Sequence, residues 1–202
     1  HCCNTKGCEN VLVLDGNMKN ARQVCSCKNV SQLEFEGMDG SITVGILVFE
    51  RPCGVVTDVR ELFGSESKSQ VYAHLHTLLV KDHMKNTDII CYDDACHLKK
   101  FAQNPVRSEK TSTSKKLSQI EILCDKFHFK NHVDRWCKTN CNPYNCDALK
   151  DVNTEVCEQL FSWLSGFSRI TKHMNRWRFI FLMLYILDNH NEDISTENEY
   201  HS

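Results

Sequence analysis

Two short, uninterrupted apolar runs, each closed by acid, constrain this chain more than any other feature. Val11-Leu12-Val13-Leu14 runs into Asp15-Gly16, and Ile89-Ile90-Cys91-Tyr92, preceded by Asp88, runs into Asp93-Asp94. A strand that is apolar on both faces has to be covered on both faces, as happens inside a sheet flanked by helices. Ile42 to Phe49, bounded by Gly40 and Pro52, reads as a further strand, and Ile120 to Cys124 as a short one. Gln23 to Lys28 is the expected hairpin partner of the first strand.

Helices are expected between the strands. Ser67 with Gln70 makes a capping box ahead of Val71, Leu75, Leu78 and Leu79, so the spacing predicts a helix from Ser67 to about His83. Ala95 to Ala102 reads as helix. Asn104 to Lys116, rich in Ser, Thr and Lys with Pro105, reads as loop. Val156, Leu160, Trp163, Leu164 and Phe167 mark one helical face, with Asn153 or Thr154 as its cap, and a last helix is expected from Thr171 to Asp188. The order predicts an α/β fold, a mixed sheet with helices packed on its faces. Positions 189–202 read as an acidic, disordered tail: residues 188–202 hold five acids and no Lys or Arg.

Composition narrows the function classes. Lys plus Arg number 24 against 26 Asp plus Glu, a net charge of −2, which excludes a uniformly basic nucleic-acid coat. The longest apolar run, Phe179 to Leu187, has nine residues, about half of what a membrane span needs. The chain begins at His1 and not at Met, so it reads as part of a longer protein. Basic charge is local: Lys99, Lys100, Arg107, Lys110, Lys115 and Lys116 form one patch, and Arg169, Lys172, Arg176 and Arg178 form another. Each patch reads either as a solvated face or as a grip on phosphates.

Asp15 and Asp93 follow strand ends, where open α/β sheets bind ligands. A third carboxylate from the helix near 156, Glu158 or Glu155, would complete an all-oxygen cage for two Mg²⁺ or Mn²⁺ ions. The competing reading is local: Asp after a strand forms turns, and Glu in a first turn answers the helix dipole.

Thirteen Cys and ten His form a second theme. An odd count and intermixed His fit zinc ligation in a reducing compartment better than an extracellular disulfide framework. His128, His132, Cys137 and Cys141 lie within fourteen residues, with Cys146 competing for the fourth position. Cys3, Cys8, Cys25 and Cys27, with Cys2 adjacent, suggest a second zinc cluster over residues 1–30, wrapped around the first strand. Cys53, Cys91, Cys96, Cys124 and Cys157 stand singly in apolar segments and read as small core residues.

Several stretches together resemble the Kyakuja–Dileera–Zisupton (KDZ) transposases. Leu14-Asp15-Gly16-Asn17-Met18-Lys19-Asn20 is similar to their first-acid segment, Tyr92-Asp93-Asp94-Ala95-Cys96 to their second, and Phe127-His128 through His132 and Cys137 to their His/Cys insertion. Asn153 to Ser162, with the core Glu158-Gln159-Leu160-Phe161-Ser162, is similar to their final-acid helix. The resemblance implies an RNase H-like core over 11–188 with a zinc-binding insertion at 125–150. It also implies a catalytic triad of Asp15, Asp93 and Glu158, two divalent cations, and phosphoryl transfer on DNA, either transposon ends or host DNA, in the nucleus. Asp94 stands where the family usually has an apolar residue, so either member of Asp93-Asp94 could be a ligand, and Glu155 stays beside Glu158 as a candidate. The rival expectation is a domesticated, catalytically inactive nuclear module stapled by zinc that binds DNA or protein. Self-association is left open.

Overall fold

The computed structural model describes residues 10–16, 43–63 and 66–200. The expected hairpin at Gln23 to Lys28 and the cysteines at positions 2, 3, 8, 25 and 27 lie outside the described residues. Five strands form one sheet: β1 (Val11–Asp15), β2 (Thr43–Glu50), β3 (Val56–Phe63), β4 (Ile89–Tyr92) and β5 (Glu121–Leu123). Their spatial order is β3-β2-β1-β4-β5. β2 runs antiparallel to both β1 and β3, whereas β4 is parallel to β1 and β5 parallel to β4.

Residue parity explains the two cores. Leu12, Leu14, Leu47, Phe49, Ile90, Tyr92 and Ile122 share one face and are buried under α1 (Lys68–Leu78), α2 (Ala95–Ala102) and Leu117, which a later helix supplies. The intervening residues Val11, Val13, Ile89, Cys91 and Leu123 pack on the other face with Leu149, Val152, Val156 and Cys157. β1 and β4 are therefore dry on both sides, as their unbroken apolar runs require. β3 has no such run. Thr57-Asp58-Val59-Arg60-Glu61 is half-exposed along an edge, where charges discourage pairing with another sheet.

The stretch expected to be loop at Asn104 to Lys116 is helical: α3 (Pro105–Ser108) and α4 (Ser112–Gln119). The reason is capping. Asn104 accepts from the Val106 N–H and Pro105 occupies the first helical position, while Thr111 accepts from the Ser114 N–H and Leu117 anchors α4 in the core. The aperiodic Cys/His stretch likewise resolves into short turns, α5 (Lys126–Phe129) capped by Asp125 and α6 (Arg135–Asn140) capped by Asp134.

α7 (Val156–Leu164) starts one or two residues beyond the expected caps: Glu155 is its N-cap, Asn153 accepts from the Glu155 N–H, and Thr154 Oγ1 accepts from the Lys126 N–H. A short α8 (Ser168–Thr171) precedes α9 (Arg176–Tyr200), which runs through the segment expected to be disordered. Tertiary bonds hold it there. The Asn191 side chain bonds both the N–H and the C=O of Val56 at 2.8 Å, and His190 Nε2 lies 3.2 Å from the Gly54 carbonyl. Gly54 makes the β2–β3 turn at φ +88°, a conformation that favours glycine. No helix among the described residues is long and apolar enough to cross a membrane.

Candidate metal centres

The sheet register aligns three acids. Leu14 is level with Tyr92 across β1 and β4, so the next residues, Asp15 and Asp93, are level at neighbouring parallel strand ends. Cys91 is level with Leu123 across β4 and β5, which brings Asp125, two residues past the end of β5, to the same end of the sheet as Asp93. Asp125 was not expected at this site. Its signal in the sequence is the short run Ile122-Leu123-Cys124 ending in acid, the same pattern that marks the other two. All three carboxylates are drawn into the sheet rim: Asp15 is 7% exposed and Asp125 2%.

Glu158 reaches this rim from the first turn of α7, and His128 ties it to Asp125. His128 Nδ1 lies 2.9 Å from Asp125 Oδ2 and 3.1 Å from Glu158 Oε1, while the His128 backbone N–H donates to Asp125 Oδ1 at 2.7 Å. Capping explains the placement: Asp125 stops β5, caps α5 and thereby fixes the residue three positions on. Glu66, just before α1, accepts from the Tyr92 hydroxyl and fills the space that a side chain on Gly16 would occupy.

Electrostatics bind these groups together. Burial first, then the negative charges of Asp93 and Glu158, push the Asp15 carboxyl up to about 7. Burial, then Glu66, push Asp93 up to about 6. Glu158 is raised by burial and by Asp125, with His128 opposing. Burial disfavours the charged form of His128, but Asp125, Glu158 and Asp93 outweigh it and raise its pKa. Among the groups that act on Asp15, Glu158 is prominent and Glu155 is not. Asp94 pairs instead with His97 and, at 3.6 Å, with Lys68 at the mouth of a cleft of about 610 Å³ that opens beside Asp93.

A buried acid behind this rim, Glu50 at the end of β2, is pushed up to about 8 by burial, and its Oε2 has no hydrogen-bond partner among the described residues. These raised values have a defined sign. The native protein keeps protons that the unfolded chain has released above about pH 4. Stability without added divalent cations is therefore complete below that pH and declines as pH rises through about 6 to 8. Denaturant unfolding at pH 5 and pH 8 should differ by about 2–4 kcal/mol, and Glu50→Gln should remove the upper part of the decline. A flat or rising profile contradicts this.

A Cys/His cluster lies beside the acids. Ligand atoms of Cys96, Cys124, His132 and Cys137 all fall within 4.8 Å of one another. Cys124 Sγ is 3.6 Å from Cys137 Sγ, and His132 Nδ1 is 3.2 Å from Cys96 Sγ and 3.1 Å from Cys137 Sγ. Cys96 and Cys137 are joined by a disulfide. Tetrahedral zinc with thiolates at about 2.3 Å sets ligand atoms roughly 3.5–3.8 Å apart; the Cys124–Cys137 spacing matches this, the two His132 spacings are shorter, and the Cys96–Cys137 bond has to be reduced before both sulfurs could ligate. Burial pushes the Cys124 thiol up to about 12, a penalty that a bound cation would reverse.

The cluster differs from the one that spacing predicts. His132 and Cys137 are in it. His128 is held in the acid group by Asp125, and Cys141 and Cys146 stand outside as free thiols. Their places are taken by Cys96, on the first turn of α2, and Cys124, at the end of β5, both read from the sequence as core residues. The adjacency of β4 and β5 supplies them, and no linear spacing encodes that.

The basic patches are also thinner than the sequence suggests. Lys99 is buried, donating to Glu121 Oε1 at 2.7 Å and to the Asn140 carbonyl at 2.8 Å. Arg176 makes a two-pronged ion pair with Glu61. Lys100 of the first patch lines the cleft wall, together with Lys68, which belongs to neither patch.

Among known families, the chain matches the model described as Kyakuja-Dileera-Zisupton transposase over residues 12–191. No curated protein and no solved structure matches.

Proposed function

Because the chain belongs to the Kyakuja-Dileera-Zisupton transposase family, we propose that it is a transposase core of RNase H-like fold that carries out phosphoryl transfer on DNA in the nucleus. The strand order β3-β2-β1-β4-β5 with only β2 reversed against its neighbours supports the fold, spanning about 11–188 with an insertion at 125–150. The observation that carries the activity is the level placement of Asp15 and Asp93 at adjacent parallel strand ends, with Glu158 on α7 raising Asp15 and itself raised by Asp93.

Asp15, Asp93 and Glu158 would hold two divalent cations, Mg²⁺ or Mn²⁺, which when bound activate the attacking water or 3′-hydroxyl and neutralise the leaving oxygen. The donor set fits hard cations: it is all oxygen, its charges repel one another, and Glu158 Oε2 is buried with no hydrogen-bond partner among the described residues. The chain's own contribution is position. Asp125 grips His128 twice, and His128 holds Glu158 Oε1 toward the strand ends. Lys68 and Lys100, on the wall of the cleft beside Asp93, would receive backbone phosphates.

We assign structural zinc to Cys96, Cys124, His132 and Cys137, in the reduced state. Cys96 lies three residues after Asp93 and Cys124 immediately before Asp125, so the ion would brace two of the rim's strand ends.

The test is strand cleavage or joining of labelled DNA by purified protein with Mg²⁺ or Mn²⁺. Activity is expected in the native sequence and not in Asp15→Ala plus Asp93→Ala. Activity that survives the double substitution rejects the assignment. DNA binding without turnover in the native sequence favours a domesticated, inactive module.

A further inference from the structure

The middle of α9, Trp177-Arg178-Phe179-Ile180-Phe181-Leu182-Met183-Leu184-Tyr185-Ile186-Leu187, is apolar around most of its circumference. A helix of that kind needs cover on more than one side. The sheet and α7 cover one side only: Phe179, Met183, Ile186 and Leu187 are buried with Ile46, Val48 and Val56 of the sheet and Leu160 and Leu164 of α7. The opposite side leaves Trp177 56%, Phe181 73%, Leu184 52% and Tyr185 61% exposed. Four large apolar side chains in one stripe mark an interaction surface and not scattered surface residues.

The exposed face is self-complementary. Arg178, Phe181, Tyr185 and Asp188, all exposed, follow at intervals of 3, 4 and 3, the spacing of a coiled-coil seam. The intervals are symmetric about position 183, and the end charges are opposite. No ion pair among the described residues engages Arg178 or Asp188. Two such helices laid antiparallel about a two-fold axis at Met183 would set Phe181 of each copy against Tyr185 of the other, and Arg178 against Asp188. That is the pattern of an isologous interface. The three rings leave roughly 100–150 Å² apiece in the open. With Leu184 and the flanking polar residues, two copies approach the roughly 1,000 Å² that a specific interface requires.

We propose that the outer face of α9 is a homodimer interface, paired antiparallel through Arg178, Phe181, Tyr185 and Asp188 with a second copy of this chain. The proposal does not depend on the catalytic reading above.

Sedimentation of the full chain across the micromolar range should show a concentration-dependent dimer. Phe181→Glu should weaken it about a hundredfold or more by placing an uncompensated charge in the seam, with the circular-dichroism spectrum unchanged because the residue is exposed in the monomer. Arg178→Asp should weaken the dimer roughly tenfold by opposing like charges, and Asp188→Arg in the same chain should restore it. A native chain that stays monomeric, a dimer indifferent to Phe181→Glu, or a double charge reversal no tighter than the single one would each overturn the proposal. Any of those outcomes leaves the DNA-cleavage experiment to be judged separately.

Discussion

Asp93→Asn should reduce Mg²⁺- or Mn²⁺-dependent DNA cleavage by about 10²–10³-fold or more, while making the cation-free protein more stable at pH 8. Both effects have one cause. Asp93 sits among carboxylates at the sheet rim, where burial first and then the repulsion of neighbouring acids raise the pKa values of Asp15, Asp93 and Glu158. An amide of the same shape removes one negative charge from that rim and relieves the native state, but it is a far poorer ligand for a hard cation. Loss of activity with gain of stability separates a functional acid from a structural one, whose removal lowers both. Asp94→Asn is the matched control. Its carboxylate is engaged with His97 and Lys68 at the cleft mouth, so cleavage should fall by less than about tenfold. If Asp94→Asn is the damaging change and Asp93→Asn is harmless, the roles are reversed and the ligand is the second acid of the pair.

Cys124→Ser should remove one zinc per chain relative to the native protein and lower stability by about 4–5 kcal/mol, in the range that loss of a bound metal produces. The large effect follows from what the cluster joins: the first turn of α2, the end of β5, and the segment from His132 to Cys137. Elements as short as β5, three residues, and α6, six, do not hold their conformation without tertiary links. Cys146→Ser should retain the metal, because that thiol stands outside the cluster. Thiol alkylation under denaturing, non-reducing conditions adds a second readout. Zinc-loaded protein should present Cys96 and Cys137 as free thiols, whereas the oxidised form withholds both. Unchanged zinc content in Cys124→Ser would remove this cluster from consideration as the metal site.

Strands and helices were legible wherever apolar residues set a clear period. The run to Asp15, the run to Tyr92 and the spacing of Val71, Leu75 and Leu78 each gave an element whose position is close to the one observed. β3 is not legible because an edge strand needs no unbroken apolar run, and α3 and α4 look like loop because their helicity comes from the caps Asn104 and Thr111 and not from periodicity. The length of α9 is not legible because it is fixed by the bonds of Asn191 to Val56, 135 residues away along the chain.

The sequence alone determined the alternation of buried strands and covering helices, the acids that end those strands, and a surplus of Cys and His in need of a partner. It could do so because burial on both faces of a strand and ligand chemistry are properties of residue type and local order. Only the tertiary structure decided which of these residues meet. Asp125 joins the row of acids, His128 leaves the sulfur ligands for Glu158, and Cys96 and Cys124 take the places that spacing had offered to Cys141 and Cys146. The register between parallel strands fixes those encounters, and that register is set by packing across the sheet between segments far apart in the chain.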